Sequence, residues 1–258
     1  VMQENHPLNT ASVRAVIVAP VRSGGTFLAH CVSNHPDVYC DRGEPLRAAG
    51  VWRPYAEMDR ALLLDVMTQQ TGYLVSMCKL TYDQAWGEDV WAWIQKRSPR
   101  VIWLTRKNLL RQALSQVVNR RVRLEGMERP QHSFEPVAVE PIQVEPAEVM
   151  RYIEHFARQN RAAGERLRAM ERVPMERVLP VTYEELTGGQ EQAEELEPTV
   201  GRTICAFLDV DYAPMPTRLV RIHRGPVAAL VSNWRELREA LLQSRYPEVA
   251  TGEARWSC

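Results

Sequence analysis

A stretch of glycine, arginine and hydroxyl residues follows the first apolar run of the chain. The run 16–19 leads into Pro-Val-Arg-Ser-Gly-Gly-Thr-Phe-Leu at 20–28. This pattern predicts a buried strand, a tight loop and the first turn of a helix, an arrangement that turns backbone N–H groups toward one point at the positive end of the helix dipole. Arg22 adds a planar cation, and Ser23 and Thr26 add hydroxyl donors. The stretch therefore predicts a site for a phosphate or another tetrahedral anion.

The common nucleotide-binding pattern Gly-x-x-x-x-Gly-Lys-Ser/Thr is absent from the chain. In particular, no lysine stands where metal-dependent NTPases need one. The loop thus predicts phosphate binding while arguing against an ordinary ATPase or kinase. Taken alone, a glycine-rich turn between a core strand and a helix explains the stretch equally well.

A second stretch carries an arginine and a serine at the spacing of one helix face. Arg106 follows the apolar run 100–105, at the place where an open α/β sheet binds its ligands. Asn108 is a suitable N-cap for the helix predicted at 108–121. Ser115 lies seven residues further, which is about two turns along the same face. The spacing favours a second anion site built from a strand end and a helix.

Together the two stretches resemble the donor-binding elements of sulfotransferases that use 3′-phosphoadenosine 5′-phosphosulfate (PAPS). In that family the first loop holds the 5′-phosphosulfate, and an Arg and a Ser after a later strand hold the 3′-phosphate. The resemblance implies donor contacts from Arg22, Ser23, Gly24, Gly25, Thr26, Phe27, Arg106 and Ser115.

Two later positions extend the resemblance. His-Arg-Gly at 223–225 is similar to the loop that closes over the 3′-phosphate, although its interval to Trp234 is longer than in animal cytosolic enzymes. Tyr183 stands where the family has a tyrosine near the adenine. The resemblance therefore adds Arg224, Gly225 and Tyr183 to the donor contacts. A surface arginine and a core tyrosine remain open as alternatives.

The segment Gly-Glu-Pro at 43–45 is similar to one in bacterial carbohydrate and lipid sulfotransferases, where a glutamate is the proposed base. A partly buried carboxylate with a raised pKa would accept the proton of an alcohol. We rank Glu44 first as the base, His35 second and Asp41 third. His30 falls within a predicted helix and is interpreted as structural.

Lys79 stands near the end of the apolar run 74–80, in a segment that resembles a lysine-containing segment of related enzymes. From there its ammonium could reach the sulfuryl group, and an exposed strand-end lysine is the alternative. The catalytic residues that the resemblance implies are Glu44, Arg22, Lys79 and His35.

Length and composition predict one α/β domain over residues 1–258, a parallel sheet flanked by helices as in the sulfotransferase fold. The predicted strands are 14–19, 74–80, 100–105 and 178–183. The predicted helices are 25–34, 58–70, 108–121, 149–170, 201–208 and 233–243. A Pro- and Glu-rich insert at 123–147 is expected to be a lid or an acceptor-binding element. The acidic stretch 184–198 is interpreted as a surface loop.

Charge, cysteine content and hydropathy indicate which ligands and which cellular location to expect. The net charge is zero, so no global field attracts anions. Only three of the 32 basic residues are lysines, and this arginine bias does not by itself argue for nucleic-acid binding. The arginine bias favours a bacterial source. Five scattered cysteines predict reduced thiols and no zinc site. With no apolar run of membrane-spanning length and no signal-peptide pattern, a cytoplasmic protein is expected.

The function predicted from the resemblance is transfer of a sulfuryl group from PAPS to a hydroxyl, releasing adenosine 3′,5′-bisphosphate (PAP), with no metal required. The acceptor is expected to be a carbohydrate, a glycolipid or a natural product, and the resemblance leaves a homodimer open. Aromatic side chains that could stack on a sugar, or belong to the core, are Trp52, Tyr55, Trp86, Trp91 and Trp93. The alternatives are a nucleotide-dependent phosphotransferase and a non-catalytic nucleotide-binding module.

Overall fold

Five parallel strands form one sheet. The computed structural model describes residues 13–44, 46, 59–82, 87–124, 140–220 and 225–251. The strands are β1 (Val13–Ala19), β2 (Val38–Asp41), β3 (Val75–Thr81), β4 (Arg100–Thr105) and β5 (Val178–Thr182). Their order is β2-β3-β1-β4-β5, and every neighbouring pair is parallel. The predicted α/β class with a parallel sheet is confirmed.

Helices connect the strands and cover the sheet. In chain order they are α1 (Gly25–Val32), α2 (Arg60–Met67), α3 (Glu88–Arg97), α4 (Leu109–Leu124), α5 (Pro146–Arg168), α6 (Tyr183–Leu186), α7 (Pro198–Leu208), α8 (Val227–Leu230) and α9 (Trp234–Leu242). Short 3₁₀ helices lie at Met175–Arg177 and Pro247–Thr251.

The central strand β1 is buried on both faces, as parallel sheets require. Its residues Ala15, Ile17 and Ala19 pack with α1 and α7 on one face. Val16 and Val18 pack on the other face with α2, α3 and the C-terminal half of α5. Because β1 has strands on either side, the loop that follows it opens at the middle of the sheet edge.

A separate apolar cluster lies where α4, the N-terminal half of α5 and α9 pack together. Chain segments before α5 and after α8 are tied to each other there. Ile142 pairs with Val231, and the Asn233 side chain exchanges hydrogen bonds of 2.9 and 2.8 Å with the backbone N–H and carbonyl of Val144. This cluster packs next to the carboxyl ends of the strands.

The structure departs from the predicted elements in a few places. Strand β2 and helix α3 were not predicted, because β2 has only four residues and α3 joins directly to the next strand. The predicted strand 178–183 ends at Thr182, since Thr182 and Glu185 form a reciprocal capping box that starts α6 at Tyr183. Of the insert 123–147, residues 125–139 lie outside the described residues.

Candidate functional site

The carboxyl ends of the strands border a cavity of about 380 Å³. Many of the residues predicted from the sequence line it, although they lie as far apart in the chain as Arg22 and Tyr183. They are Arg22, Gly24, Gly25, Thr26, Phe27, Glu44, Lys79, Arg106, Ser115 and Tyr183. The sheet thus brings together the two predicted anion-binding stretches and the segment that carries Glu44.

The loop after β1 requires glycine at Gly24. This residue is the N-cap of α1 and has φ 92°, and a Cβ atom built there would lie 2.2 Å from Cδ2 of Tyr183. At Gly25 a Cβ would lie 3.0 Å from Cδ of Lys79. The first N–H groups of α1 have no partner within the helix, and no acidic residue stands in its first turn. The two glycines therefore let the Tyr183 ring and the Lys79 side chain lie against the loop that carries the backbone donors.

Arg22 joins the loop to the second predicted stretch. It has φ 63°, an unfavourable conformation for a residue with a side chain. Two hydrogen bonds secure it, since its Nε donates to Ser115 Oγ at 2.9 Å and its carbonyl accepts from Arg106 Nη1 at 3.1 Å. The guanidinium of Arg22 therefore lies beside the serine predicted to bind a second phosphate.

A protein carboxylate occupies the N-terminus of α4. Glu184 accepts hydrogen bonds from the N–H groups of Lys107 and Asn108 at 2.9 and 3.1 Å. The predicted N-cap is confirmed, because Asn108 Oδ1 accepts from the Arg111 N–H at 2.9 Å. A ligand phosphate near α4 must therefore be held by side chains and not by the end of this helix.

Tyr183 closes the cavity on the β5 side. The guanidinium carbon of Arg106 lies 4.8 Å from the centre of its ring, and the Phe27 ring meets it edge-on at 6.2 Å. The cation–π contact and the edge-on contact both favour this orientation. A planar aromatic ligand could pack against the same group of side chains.

Lys79 and Glu44 form an ion pair on the β3 side of the cavity. Lys79 Nζ lies 3.5 Å from Glu44 Oε1 and donates to Thr26 Oγ1 at 2.9 Å. The lysine is 3% exposed, and this burial lowers its pKa, while the Glu44 carboxylate opposes the shift. The Lys79 ammonium therefore lies between a carboxylate and the first turn of α1.

Several predicted residues lie away from the cavity. The Ser23 hydroxyl is fully buried and donates to the Pro20 carbonyl at 2.7 Å, so it is used within the loop. His35 is also buried. Its Nδ1 accepts from the Asp37 N–H at 3.1 Å, which leaves the proton on Nε2 to be donated to the Asp211 carbonyl at 2.8 Å. These contacts give His35 a structural role and argue against its ranking as a base.

Asp41 and His30 are also absent from the residues that line the cavity. Asp41 Oδ1 accepts from the Gly43 N–H at 2.9 Å, and Asp41 is not among the residues lining the cavity. His30 is half-buried on α1, and burial lowers its pKa, with the nearby Arg42 and Lys79 charges acting in the same direction. Of the four candidate bases, Glu44 alone lines the cavity.

The loop predicted to cover the 3′-phosphate is described only at its end. Arg224 lies outside the described residues. Gly225 has φ 78°, and its carbonyl accepts from Arg111 Nη2 at 2.5 Å. The same Arg111 nitrogen lies 3.9 Å from the Glu191 carboxylate. Arg111 therefore holds this loop against the cavity.

Sequence reasoning missed a second set of lining residues. On α4, Arg111 and Asn119 lie one turn before and one turn after Ser115, so helical spacing from Ser115 could have identified them. His155 and Gln159 on α5 have no such signal, because nothing in the sequence places α5 beside the sheet edge. Glu191 and Gln192 also line the cavity, so the interpretation of 184–198 as surface loop was incomplete.

Comparison with solved structures gives a match to a sulfotransferase from Alicyclobacillus acidocaldarius. The two chains are 17% identical, the match covers 91% of each, and the TM-score is 0.50. The chain has a sulfotransferase-like fold. At this identity the likeness concerns the fold alone. No protein-family model and no curated protein matches the chain.

The structure also locates some of the aromatic residues that were expected to stack on a sugar. Trp91 and Trp93 are buried in the core on the α2–α3 face and are not among the cavity-lining residues, while Trp52, Tyr55 and Trp86 lie outside the described residues. Within the described ranges, no three His, Cys, Asp or Glu side chains come together as a metal site would need. No helix in that part of the chain has the length and apolar character to cross a membrane.

Proposed function

We propose that this protein transfers a sulfuryl group from PAPS to a hydroxyl group of a carbohydrate, glycolipid or natural-product acceptor. The observation that carries the proposal is the Arg22–Ser115 hydrogen bond, because it joins the two predicted phosphate-binding stretches in one cavity. Helix α1 offers backbone N–H donors to one anionic group. Arg106 and Ser115 offer side-chain donors to another.

The fit to a nucleotide donor is supported by the close approach of the Tyr183 ring to Gly24 and of the Lys79 side chain to Gly25, which brings an aromatic ring and an ammonium against the loop. The donor supplies the sulfuryl group and leaves as PAP. The phosphosulfate would be held by the loop at 22–27, and the 3′-phosphate by Arg106 and Ser115. Tyr183 and Phe27 offer a surface for the adenine.

Glu44 is the proposed base. As the acceptor oxygen bonds to sulfur, its proton passes to the Glu44 carboxylate, and the electron pair of the broken S–O bond remains on the phosphate of PAP. Lys79 and Arg22 would stabilise the negative charge that develops on the oxygens around sulfur. The ion pair with Lys79 would orient Glu44 in the cavity.

The test is a thermal melt with PAP, with ATP and with adenosine 5′-monophosphate. At one hundred times its dissociation constant a ligand adds about 2.7 kcal/mol, which would raise the melting midpoint of a domain this size by roughly 5–10 °C. We expect that shift with PAP and a much smaller one with the other two nucleotides. An equal or larger shift with ATP would favour a phosphotransferase, and no shift with PAP would refute the proposal.

A further inference from the structure

The cavity has two chemically different parts. Its cationic groups lie on the loop after β1, at the strand ends and at the start of α4, as Arg22, Lys79 and Arg106 illustrate. Lining residues also come from the segments at 191–193, 219–220 and 230–231, and one further part of the wall is formed by the second half of α4 and by α5. Its polar members are Gln116, Asn119, His155 and Gln159, which we call the amide–imidazole wall.

The direction of α5 places this wall beyond the sheet edge. Gly164 packs against Trp103 of β4, where an added Cβ would lie 2.7 Å from Cη2 of the indole. Because α5 returns the chain to the start of β5, it runs antiparallel to the strands, and its earlier residues lie toward their carboxyl ends. Gln159 is five residues before Gly164, about 7.5 Å along the helix axis. His155 lies one turn further out.

The wall offers hydrogen bonds that carry no formal charge. The amides of Gln116, Asn119 and Gln159 can each donate and accept, and neutral imidazole can do the same. The Oε1 atom of Gln159 is buried and has no hydrogen-bond partner among the described residues. A buried acceptor of this kind is stabilised by a hydroxyl donor from a ligand.

We propose that the amide–imidazole wall is the acceptor subsite and that it selects an uncharged, polyhydroxylated molecule such as a neutral sugar. The inference rests on the proposed function, since the donor is taken to occupy the charged part. Leu114 and Val118, which lie on the same face of α4, add apolar surface against which a sugar ring can pack. A carboxylated or sulfated acceptor would meet amides where it needs a cation, and would lose its hydration without compensation.

The experiment is saturation-transfer NMR on the full chain, with and without PAP. The probes are the methyl glycosides of glucose and galactose and the corresponding methyl uronates. We expect transfer to at least one neutral glycoside and at least fivefold less to its uronate. Absence of transfer to both neutral glycosides, or equal transfer to a uronate, would overturn the inference.

A variant pair ties the signal to the wall. Gln159→Leu should reduce saturation transfer to the neutral glycoside at least fivefold. Gln95→Leu makes the same exchange on the exposed face of α3 and should leave the signal unchanged. Asn119→Leu, on the opposite helix, serves as a second variant in case Gln159→Leu does not fold. An unchanged signal in a folded wall variant would refute the assignment.

The outcomes separate this inference from the proposed function. PAP binding without glycoside binding would leave the donor site and remove the acceptor subsite. Glycoside binding that depends on Gln159, without PAP binding, would leave the subsite and remove the donor assignment. The arm without PAP tests the subsite by itself, because the wall includes no residue of the loop at 22–27.

Discussion

Arg22 combines an unfavourable backbone conformation with two hydrogen bonds to the second phosphate-binding stretch. Its left-handed backbone costs about 1–2 kcal/mol for a residue with a side chain. The contacts with Arg106 and Ser115 offset that energy and aim the guanidinium along the cavity. Strain of this kind is characteristic of ligand-binding loops.

Arg22→Ala should lower kcat/KM at least 100-fold, because removing one positioned charge donor typically costs about 100- to 1,000-fold. Steady-state kinetics with PAPS and an uncharged hydroxylated acceptor would measure it. Arg120→Ala is the matched control, since Arg120 forms an exposed ion pair with Glu148 on the outside of α4. Retention of activity by Arg22→Ala would show that this arginine does not act on the transferred group.

Glu44→Gln should abolish turnover and spare the thermal shift produced by PAP. The amide oxygen can still accept from Lys79 Nζ, so the packing is kept, but the amide cannot take a proton at neutral pH. Loss of a general base typically slows a reaction about 100- to 10,000-fold. Asp41→Asn is the control and should remain active. More than about a tenth of wild-type activity in Glu44→Gln would contradict the assignment of the base, given that scale of loss.

Gly24→Ala tests the close approach of the loop to Tyr183. The added methyl would lie 2.2 Å from the Tyr183 ring in a backbone with φ 92°. Gly189→Ala separates the two effects, because Gly189 has φ 75° but nothing within 4 Å of its added Cβ. We expect Gly24→Ala to be about 2 kcal/mol less stable than Gly189→Ala, as overpacked sites are, and to bind PAP at least tenfold more weakly. Equal losses by calorimetry would mean that Tyr183 moves aside easily.

At the scale of elements, a buried histidine fixes the turn between α1 and β2. His35 links the Asp37 N–H to the Asp211 carbonyl, in the segment after α7, so it joins parts of the chain that are distant in sequence. The position of α1, and hence of its N-terminal donors, depends on that turn. His35 therefore supports the site without lining it.

His35→Ala should destabilise the fold and leave chemistry intact. Two part-buried hydrogen bonds are lost, so we expect a decrease of about 1–3 kcal/mol in the free energy of unfolding. Urea denaturation would measure it, and kcat per folded molecule should change less than threefold. The opposite pattern, full stability with lost turnover, would restore His35 as a candidate base.

Elements with strong local signals were predictable from the sequence, and those that depend on distant contacts were not. β1 and β4 are apolar runs followed by polar strand ends, so both strands and the residues just after them were predicted close to their observed positions. Ser23 and His35 have residue types suited to chemistry, yet burial and local hydrogen bonds remove them from the cavity. His155 and Gln159 could not be predicted, because their place depends on how α5 crosses the sheet.

At the scale of the whole molecule, the core carries four buried thiols, Cys31, Cys40, Cys78 and Cys205. Burial raises the pKa of each, to about 12 for Cys31. Thiols with a raised pKa are poor nucleophiles in the folded state. Because the folded core keeps these thiols protonated, the free energy of unfolding depends on pH in the alkaline range.

The free energy of unfolding should therefore fall as the pH rises above about 8.5, the ordinary pKa of a thiol. Below that value the thiols are protonated in both states and their contribution is complete. Above it the unfolded chain releases protons that the folded core retains, so each thiol removes up to about 1.4 kcal/mol per pH unit.

Urea melts at about pH 8 and about pH 10 would test this. Cys78→Ala should lose about 2 kcal/mol less between those two values than the wild-type protein. The comparison uses the change with pH in each protein, so the cavity left by the substitution cancels. An equal decrease of the free energy of unfolding in both proteins would show that Cys78 does not cause the pH dependence.

The carboxylate of Glu184 at the start of α4 has a consequence for competition by small anions. Helices α1 and α4 both begin at this edge of the sheet, and α4 already holds an anion that belongs to the chain itself. Inorganic sulfate or phosphate in the surrounding solution can therefore compete for the start of α1 but finds the start of α4 filled. A buffer anion at α1 would therefore compete for backbone N–H groups, whereas near α4 it would compete for the side chains of Arg106 and Ser115.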